Sequence, residues 1–162
     1  MAATPITAAV RYYRRGTTKV SWVPTIADKS APTRAELDAG TELSVEVGEV
    51  DGWQVTSEVT ETPSLGSRFT SKIDGPITAD DSSLTMYASK QGDDVRTLLT
   101  RGTDGYVVWM DEGDVAANLM DVFPVRVLSQ GKIRSLDDAA KIQVQFAVTS
   151  EPAENVAIPP TV

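Results

Sequence analysis

Apolar and polar residues alternate along most of the chain. Val20 and Trp22 alternate with Lys19 and Ser21, and Leu43, Val45 and Val47 with Glu42, Ser44 and Glu46. Trp53, Val55 and Val59 alternate with Gln54, Thr56, Glu58 and Thr60, and Phe69 and Ile73 with Arg68, Thr70 and Lys72. Ile142, Val144, Phe146 and Val148 alternate with Lys141, Gln143, Gln145 and Thr149. A period of two puts each set on its own face of an extended backbone, so these segments predict half-buried strands. Leu84 and Met86 share a face of a further strand. Tyr106 to Met110 is apolar on both faces, which suits a central, doubly covered strand. Phe123, Val125 and Val127 carry the pattern across Pro124, whose missing N–H marks an edge, a strand start or a bulge. The pattern predicts about eight strands, with turn signals at Asp51-Gly52, Asp74-Gly75 and Asp104-Gly105.

Helix signals are few. Asp93-Asp94 ahead of Val95, Leu98 and Leu99, closed by Arg101-Gly102, predicts about two turns. A shorter turn could start at Ser30 or Thr33 and end at Gly40. The fold expected is mainly β: an antiparallel sandwich or barrel-like domain over residues 18–150, flanked by one short helix. Residues 1–17 form a Thr/Ala-rich N-terminal arm, and the proline-bearing stretch 151–162 an extended C-terminal arm with no core of its own.

Composition narrows the function by what is missing. The 162 residues contain neither cysteine nor histidine. Disulfides, thiolate sites, histidine bases and histidine metal ligands are therefore all excluded. The paired acids Asp80-Asp81, Asp93-Asp94, Asp111-Glu112-Asp114 and Asp137-Asp138 lack calcium-loop spacing and read as turns and helix starts. Ser129-Gln130-Gly131-Lys132 lacks the first glycine and the hydroxyl residue of a phosphate loop. Catalytic, cofactor and metal assignments are all none, and the chain reads as a non-enzyme. No apolar run approaches the ~20 residues of a membrane span, and Met1 to Val10 lacks a signal-peptide pattern. Trp22, Trp53 and Trp109 each sit in an alternating or apolar stretch and are assigned to the core; a sugar-stacking platform, as in a carbohydrate-binding sandwich, is the competing use.

The net charge of −8 argues against a protein that grips nucleic acid, though it suits one that lets DNA pass. The one local basic cluster, Arg11, Tyr12, Tyr13, Arg14 and Arg15, mixes guanidinium with aromatic groups and is assigned to an arm that docks on an acidic neighbouring copy.

The order of segments carries a resemblance. A strand at Lys19 to Val23 leads to Pro32-Thr33-Arg34-Ala35-Glu36-Leu37-Asp38-Ala39-Gly40, then to a long polar hairpin region from Val50 to Ile73. Ser82-Ser83-Leu84-Thr85-Met86-Tyr87, the Asp121 to Val127 stretch and Val144 to Thr149 follow. From about Thr18 to Pro160 the chain resembles the major tail tube proteins of long, non-contractile-tailed phages, especially those infecting actinobacteria. The resemblance implies a subunit made in the bacterial host cytoplasm and resident in the virion tail. It also implies hexameric rings whose inner strands close one barrel around an acidic lumen, and rings stacked into a conduit for the genome. Implied partners are other copies of the chain, a tape measure protein inside the tube, tail terminator and distal tail proteins, and passing double-stranded DNA. A tube subunit of a related phage-like injection particle or gene transfer agent would share these features.

Within that frame the polar positions Gln54, Thr56, Glu58, Thr60, Arg68, Thr70 and Lys72, or Gln143 and Gln145, are candidates to line the lumen. The loop Glu61, Thr62, Pro63, Ser64, Leu65 to Ser67 is the candidate to reach the next ring. Alternation does not choose between inward-facing and outward-facing polar residues.

Overall fold

A computed structural model describes residues 3–161. In chain order its elements are β1 (Lys19–Val23), α1 (Arg34–Asp38), β2 (Thr41–Glu42), β3 (Val47–Asp51), β4 (Val55–Thr62), β5 (Ser71–Ala79), β6 (Ser82–Tyr87), α2 (Val95–Leu98), β7 (Asp104–Met110), β8 (Leu119–Ile133), β9 (Lys141–Val148) and β10 (Ala153–Ala157). All the strand pairs are antiparallel, and one sheet runs β2-β1-β7-β8-β9-β6-β3, with β10 added beside β8. β2 and β3 lie at opposite ends of that order, yet only residues 43–46 separate them in the chain. Leu43 N–H donates to Val20 O, and Tyr87 N–H to Glu46 O. The stretch 41–51 therefore joins the two ends, and the sheet curls into a barrel-like wall.

The inner face of that wall holds the main core. Val20, Trp22, Leu84, Met86, Val107, Phe123, Val125, Ile142, Val144 and Phe146 are all buried there. These are the alternate positions that the period-two pattern picks out, so side-chain direction alone gathers them. Aromatic rings run from the core to its margin: Trp53 meets Trp109 at 5.6 Å and stands edge-on to the buried Phe123 at 5.3 Å. Such pairs add about 0.5–1.5 kcal/mol each beyond area burial. The tryptophans thus belong to the core and its margin and form no flat row for sugars.

Part of the outer face is also covered. α1 lays Leu37 over Val23, Val108, Met110, Met120 and Val122, and Ile158 closes the same cluster. α1 begins with a capping box, Thr33 and Glu36 satisfying each other's backbone N–H groups. Arg34 then clamps Asp114 through two 2.7 Å bonds, tying the helix to the turn after β7.

Several expectations need correction. Among the described residues there are two short helices, and α2 is one turn, capped by Asp94, where two turns were expected. Asp104-Gly105 is no turn but the start of β7, because the Trp22 ring lies directly on Gly105; the reversal falls at Gly102, with φ +85°. Pro124 lies inside the fifteen-residue β8, between the part paired to β10 and the part paired to β9. Its carbonyl accepts from Thr149 N–H at that junction, so its missing donor faces the seam. The C-terminal stretch is extended as expected but docked: β10 pairs with β8, and Ile158 is 2% exposed.

Candidate assembly surfaces

β3 and β6 pair inside the sheet, and β4 and β5 continue the same two-stranded ribbon beyond it. The ribbon kinks at Gly52-Trp53 on one strand, where both residues have positive φ, and at Asp80-Asp81 on the other. Trp53 N–H donates to Ser82 Oγ and its indole N–H to Ser83 O, which fixes the base of the outer half. Beyond the kink Val55 at the foot of β4 still packs against the core, but among the described residues no other strand pairs with β4–β5. An isolated two-stranded hairpin is marginal in water. This one nevertheless exposes Val59, Leu65, Phe69, Ile73 and Ile77, each more than half accessible.

The register sorts those residues. Val55, Ser57, Val59 and Glu61 share one face with Ala79, Ile77, Asp74 and Lys72. Thr56, Thr60 and Thr62 share the other with Thr78, Ile73 and Ser71, and alternation along β4 adds Glu58. Apolar side chains therefore stand on both faces. The hairpin, expected between Val50 and Ile73, runs on to Ala79, and Val59 lies opposite Asp74. Asp74-Gly75, expected as a turn, is interior to β5. A bulge falls there, and the Gly75 α-carbon lies so close to Glu58 that a β-carbon would stand 2.8 Å from its carbonyl oxygen.

Of the lumen candidates, Thr56, Glu58 and Thr60 come together on one hairpin face. Gln54 sits at the hairpin base, and Arg68 and Thr70 lie in the connection between the strands. Lys72 is on the opposite face, within 3.6 Å of Glu61. Of the loop candidates, Glu61 and Thr62 end β4, while Pro63, Ser64, Leu65 and Ser67 belong to the exposed tip.

Gln143 and Gln145 belong to the main sheet and not to the hairpin. They lie on the outer face of β9, beside Ser129 and Gly131 of β8 and Ser83 and Thr85 of β6. Neither helix covers this half of the wall. It is polar, with Gln145 exposed, Gln143 half-buried and Ser83 and Thr85 buried, and Ser129 Oγ donates to Gln145 Oε1 at 3.0 Å. Its cations are neutralised in place: Arg126 pairs with Asp104 at 3.0 Å and Lys141 with Glu49 at 3.1 Å. The bond from Glu49 raises the Lys141 pKa, so the ammonium stays charged and paired.

The arm residues Arg11, Tyr12 and Tyr13 are exposed, as is Arg15. Among the described residues, 3–13 make no hydrogen bond to the body. The chain is first held at Arg14, whose guanidinium pairs with Asp111 and whose carbonyl accepts from Thr17 and Thr18 N–H. One further surface carried no sequence signal. It is a cleft of about 1100 Å³ between Thr17–Val20 and Val47–Val50, floored by Trp53, Trp109 and Phe123. Only the pairing of strands distant in sequence creates it.

Residues 6–161 match the phage tail tube protein family. The chain belongs to that family. A tail tube protein is a structural component of the virion tail, which agrees with a β-rich body bearing an unpacked hairpin. Its fold is similar to a chain of the anti-feeding prophage (AFP) baseplate, solved by cryo-electron microscopy with six-fold symmetrisation. The TM-score is 0.52 at 12% identity, over 92% of this chain and 95% of that one. Hcp protein is a more distant likeness, with a TM-score of 0.43 at 14% identity over 82% and 88% of the two chains. No curated protein sequence matches.

Proposed function

We propose that copies of this tail tube protein join into hexameric rings that stack into a hollow tube, and that the phage genome leaves the virion through its lumen. The observation that carries the reading is the β4–β5 hairpin. Its exposed apolar residues on both faces and at the tip are unfavourable in water and become favourable when a neighbouring copy covers them. Free strand edges are a hazard that closing a wall across subunits removes. Head-to-tail contacts between identical subunits form rings whenever the rotation closes.

In this reading the polar outer face of β9 and β6, with Gln143 and Gln145, faces the lumen. Thr56, Glu58 and Thr60 extend it along the hairpin. Arg126 and Lys141 on this face are ion-paired, which lowers their hold on a passing phosphate backbone. Pro63, Ser64, Leu65 and Ser67 at the hairpin tip reach the next ring, and Arg11, Tyr12 and Tyr13 dock on a neighbouring copy. A tape measure protein occupies the lumen during assembly in the host cytoplasm, and terminator and distal tail proteins bound the tube. Negative-stain electron microscopy of the concentrated purified protein tests this. Rings or hollow tubes are expected; a uniform field of single subunits at every concentration contradicts it.

A further inference from the structure

Four strands carry the polar half of the wall in the order β8-β9-β6-β3, and every step between neighbours is antiparallel. Three reversals separate β3 from β8, so the two run in opposite directions. Both flanks of this four-strand unit are unpaired. β3 bonds only to β6, and the cleft lies along Val47–Val50 on its other side. β8 has a neighbour on its β7 side as far as Val127, which exchanges backbone bonds with Gly102 and Thr103. Beyond it Ser129–Ile133 pair only with β9. Residues 47–51 and 129–133 are thus two free edges of equal length, about 17 Å each when extended. The remaining edges of the main sheet are poorer templates. β2 has two residues, Leu43 N–H and Ser44 Oγ already bond the backbone of Val20 in β1, and β10 is broken at Asn155, where φ is +57°. Short strands and bulges blunt an edge.

The two edges are opposite in charge. β3 carries Glu49 and Asp51 and no base, while Ser129–Ile133 carry Lys132 and no acid, with Arg134 next in the chain. Asp51, Lys132 and Arg134 are exposed and lie in no ion pair among the described residues. Gly131 gives an independent indication. It sits at an exposed position inside a strand, where glycine is a weak choice. Its backbone is not left-handed, and an added β-carbon would have only the Gln143 carbonyl oxygen near it, at an ordinary 3.7 Å. Gly48, by comparison, lies under the Tyr87 ring, with a ring carbon 3.4 Å from the place a β-carbon would take. Nothing in its own chain calls for glycine at 131. Close approach of a second chain would.

We infer that β3 of one copy and Ser129–Ile133 of the next pair as antiparallel strands, with Gly131 at the point of closest approach. Rotation about a ring axis leaves the sense of a strand along that axis unchanged, so the opposed directions of β3 and β8 carry over to neighbouring copies. The strand that bears Glu49 and Asp51 then lies alongside the one that bears Lys132. Four-strand units join edge to edge, and the polar face with Gln143 and Gln145 becomes continuous from copy to copy. The inference rests on the ring proposed above and names the two edges, and the residue between them, that make its lateral contact.

Because the chain has no cysteine, crosslinking can be read cleanly. Full-length chains with one substitution each are mixed, assembled and treated with a short bis-maleimide, which tolerates small offsets in register, and assembly is followed by electron microscopy. A linked dimer of Ser129→Cys with Asp51→Cys, at least tenfold above Ser129→Cys with Glu154→Cys on β10, is expected. Rings or tubes in which the β10 pair links instead, or in which neither pair links, overturn the edge assignment and leave the tube reading standing. Ile133→Cys linking to Asp51→Cys in place of Ser129→Cys overturns the antiparallel sense. Gly131→Val should keep the melting of the free subunit within about 2 °C and abolish rings; normal rings from G131V also overturn the contact. Absence of any assembly by the unsubstituted chain overturns the tube reading itself, and this contact with it.

Discussion

A β-carbon on Gly52 would stand 2.4 Å from the carbonyl oxygen of Asp81. These two residues are where the β3–β6 pair leaves the body and becomes the β4–β5 hairpin. The close approach lets the ribbon bend while its strands stay together, and Gly52 adopts φ +79°, where only glycine is free of strain. The direction of the hairpin is set at this point.

Gly52→Ala should therefore damage both stability and assembly. Left-handed strain and the clash together cost about 2 kcal/mol. Thermal melting should fall by about 4–8 °C, and tubes should shorten or vanish. An unchanged melting temperature with normal tubes would show that the kink tolerates a side chain.

Removing the hairpin tip, residues 63–70 with a short glycine turn in their place, should leave the body intact. No residue of the tip contributes to either core cluster. Melting should move by no more than about 2 °C, within the range of neutral surface changes, while electron micrographs lose long tubes. Normal tubes would remove the tip from the contact between rings.

Gly105→Ala tests the core. The added methyl would lie 2.4 Å from Cζ2 of the buried Trp22 ring. Overpacking of this kind costs about 1–3 kcal/mol. A lower denaturant midpoint with an unchanged slope is expected.

Asp94 gives a pH dependence with a defined sign. Its carboxylate bonds the Arg96 guanidinium at 2.7 Å and accepts N–H groups from Arg96 and Ser89. The Arg96 bond leads in holding its pKa down to about 2. A depressed carboxylate pKa contributes stability that is complete above the unfolded value of about 4 and is lost as pH falls through the folded one. Stability should drop between about pH 4 and pH 2, and Asp94→Asn should flatten that part of the profile. Asp94→Ala should also lose the helix cap, at about 1–2 kcal/mol.

The sequence showed the inner face of the wall well because burial there follows side-chain direction: Val20, Trp22, Leu84, Ile142, Val144 and Phe146 are gathered by alternation alone. Thr33 and Asp94 were readable as caps because capping is local. What escaped depends on contacts distant in the chain. Asp104-Gly105 looks like a turn until Trp22 is laid upon it, and Asp74-Gly75 until Glu58 is placed opposite. The hairpin was visible as a polar ribbon, but a bulge set its register, and so Lys72 parted from Thr56, Glu58 and Thr60. The cleft needed β1 and β3, whose closeness no local pattern encodes.

Hydrogen–deuterium exchange on the free subunit and on the assembled protein tests most directly whether sibling copies cover the hairpin. Outward-facing amides of Val55–Thr62 and Ser71–Ala79 should exchange at least tenfold more slowly in the assembly. Identical rates in both states would mean that the hairpin stays open to water and that the wall is complete in the single chain.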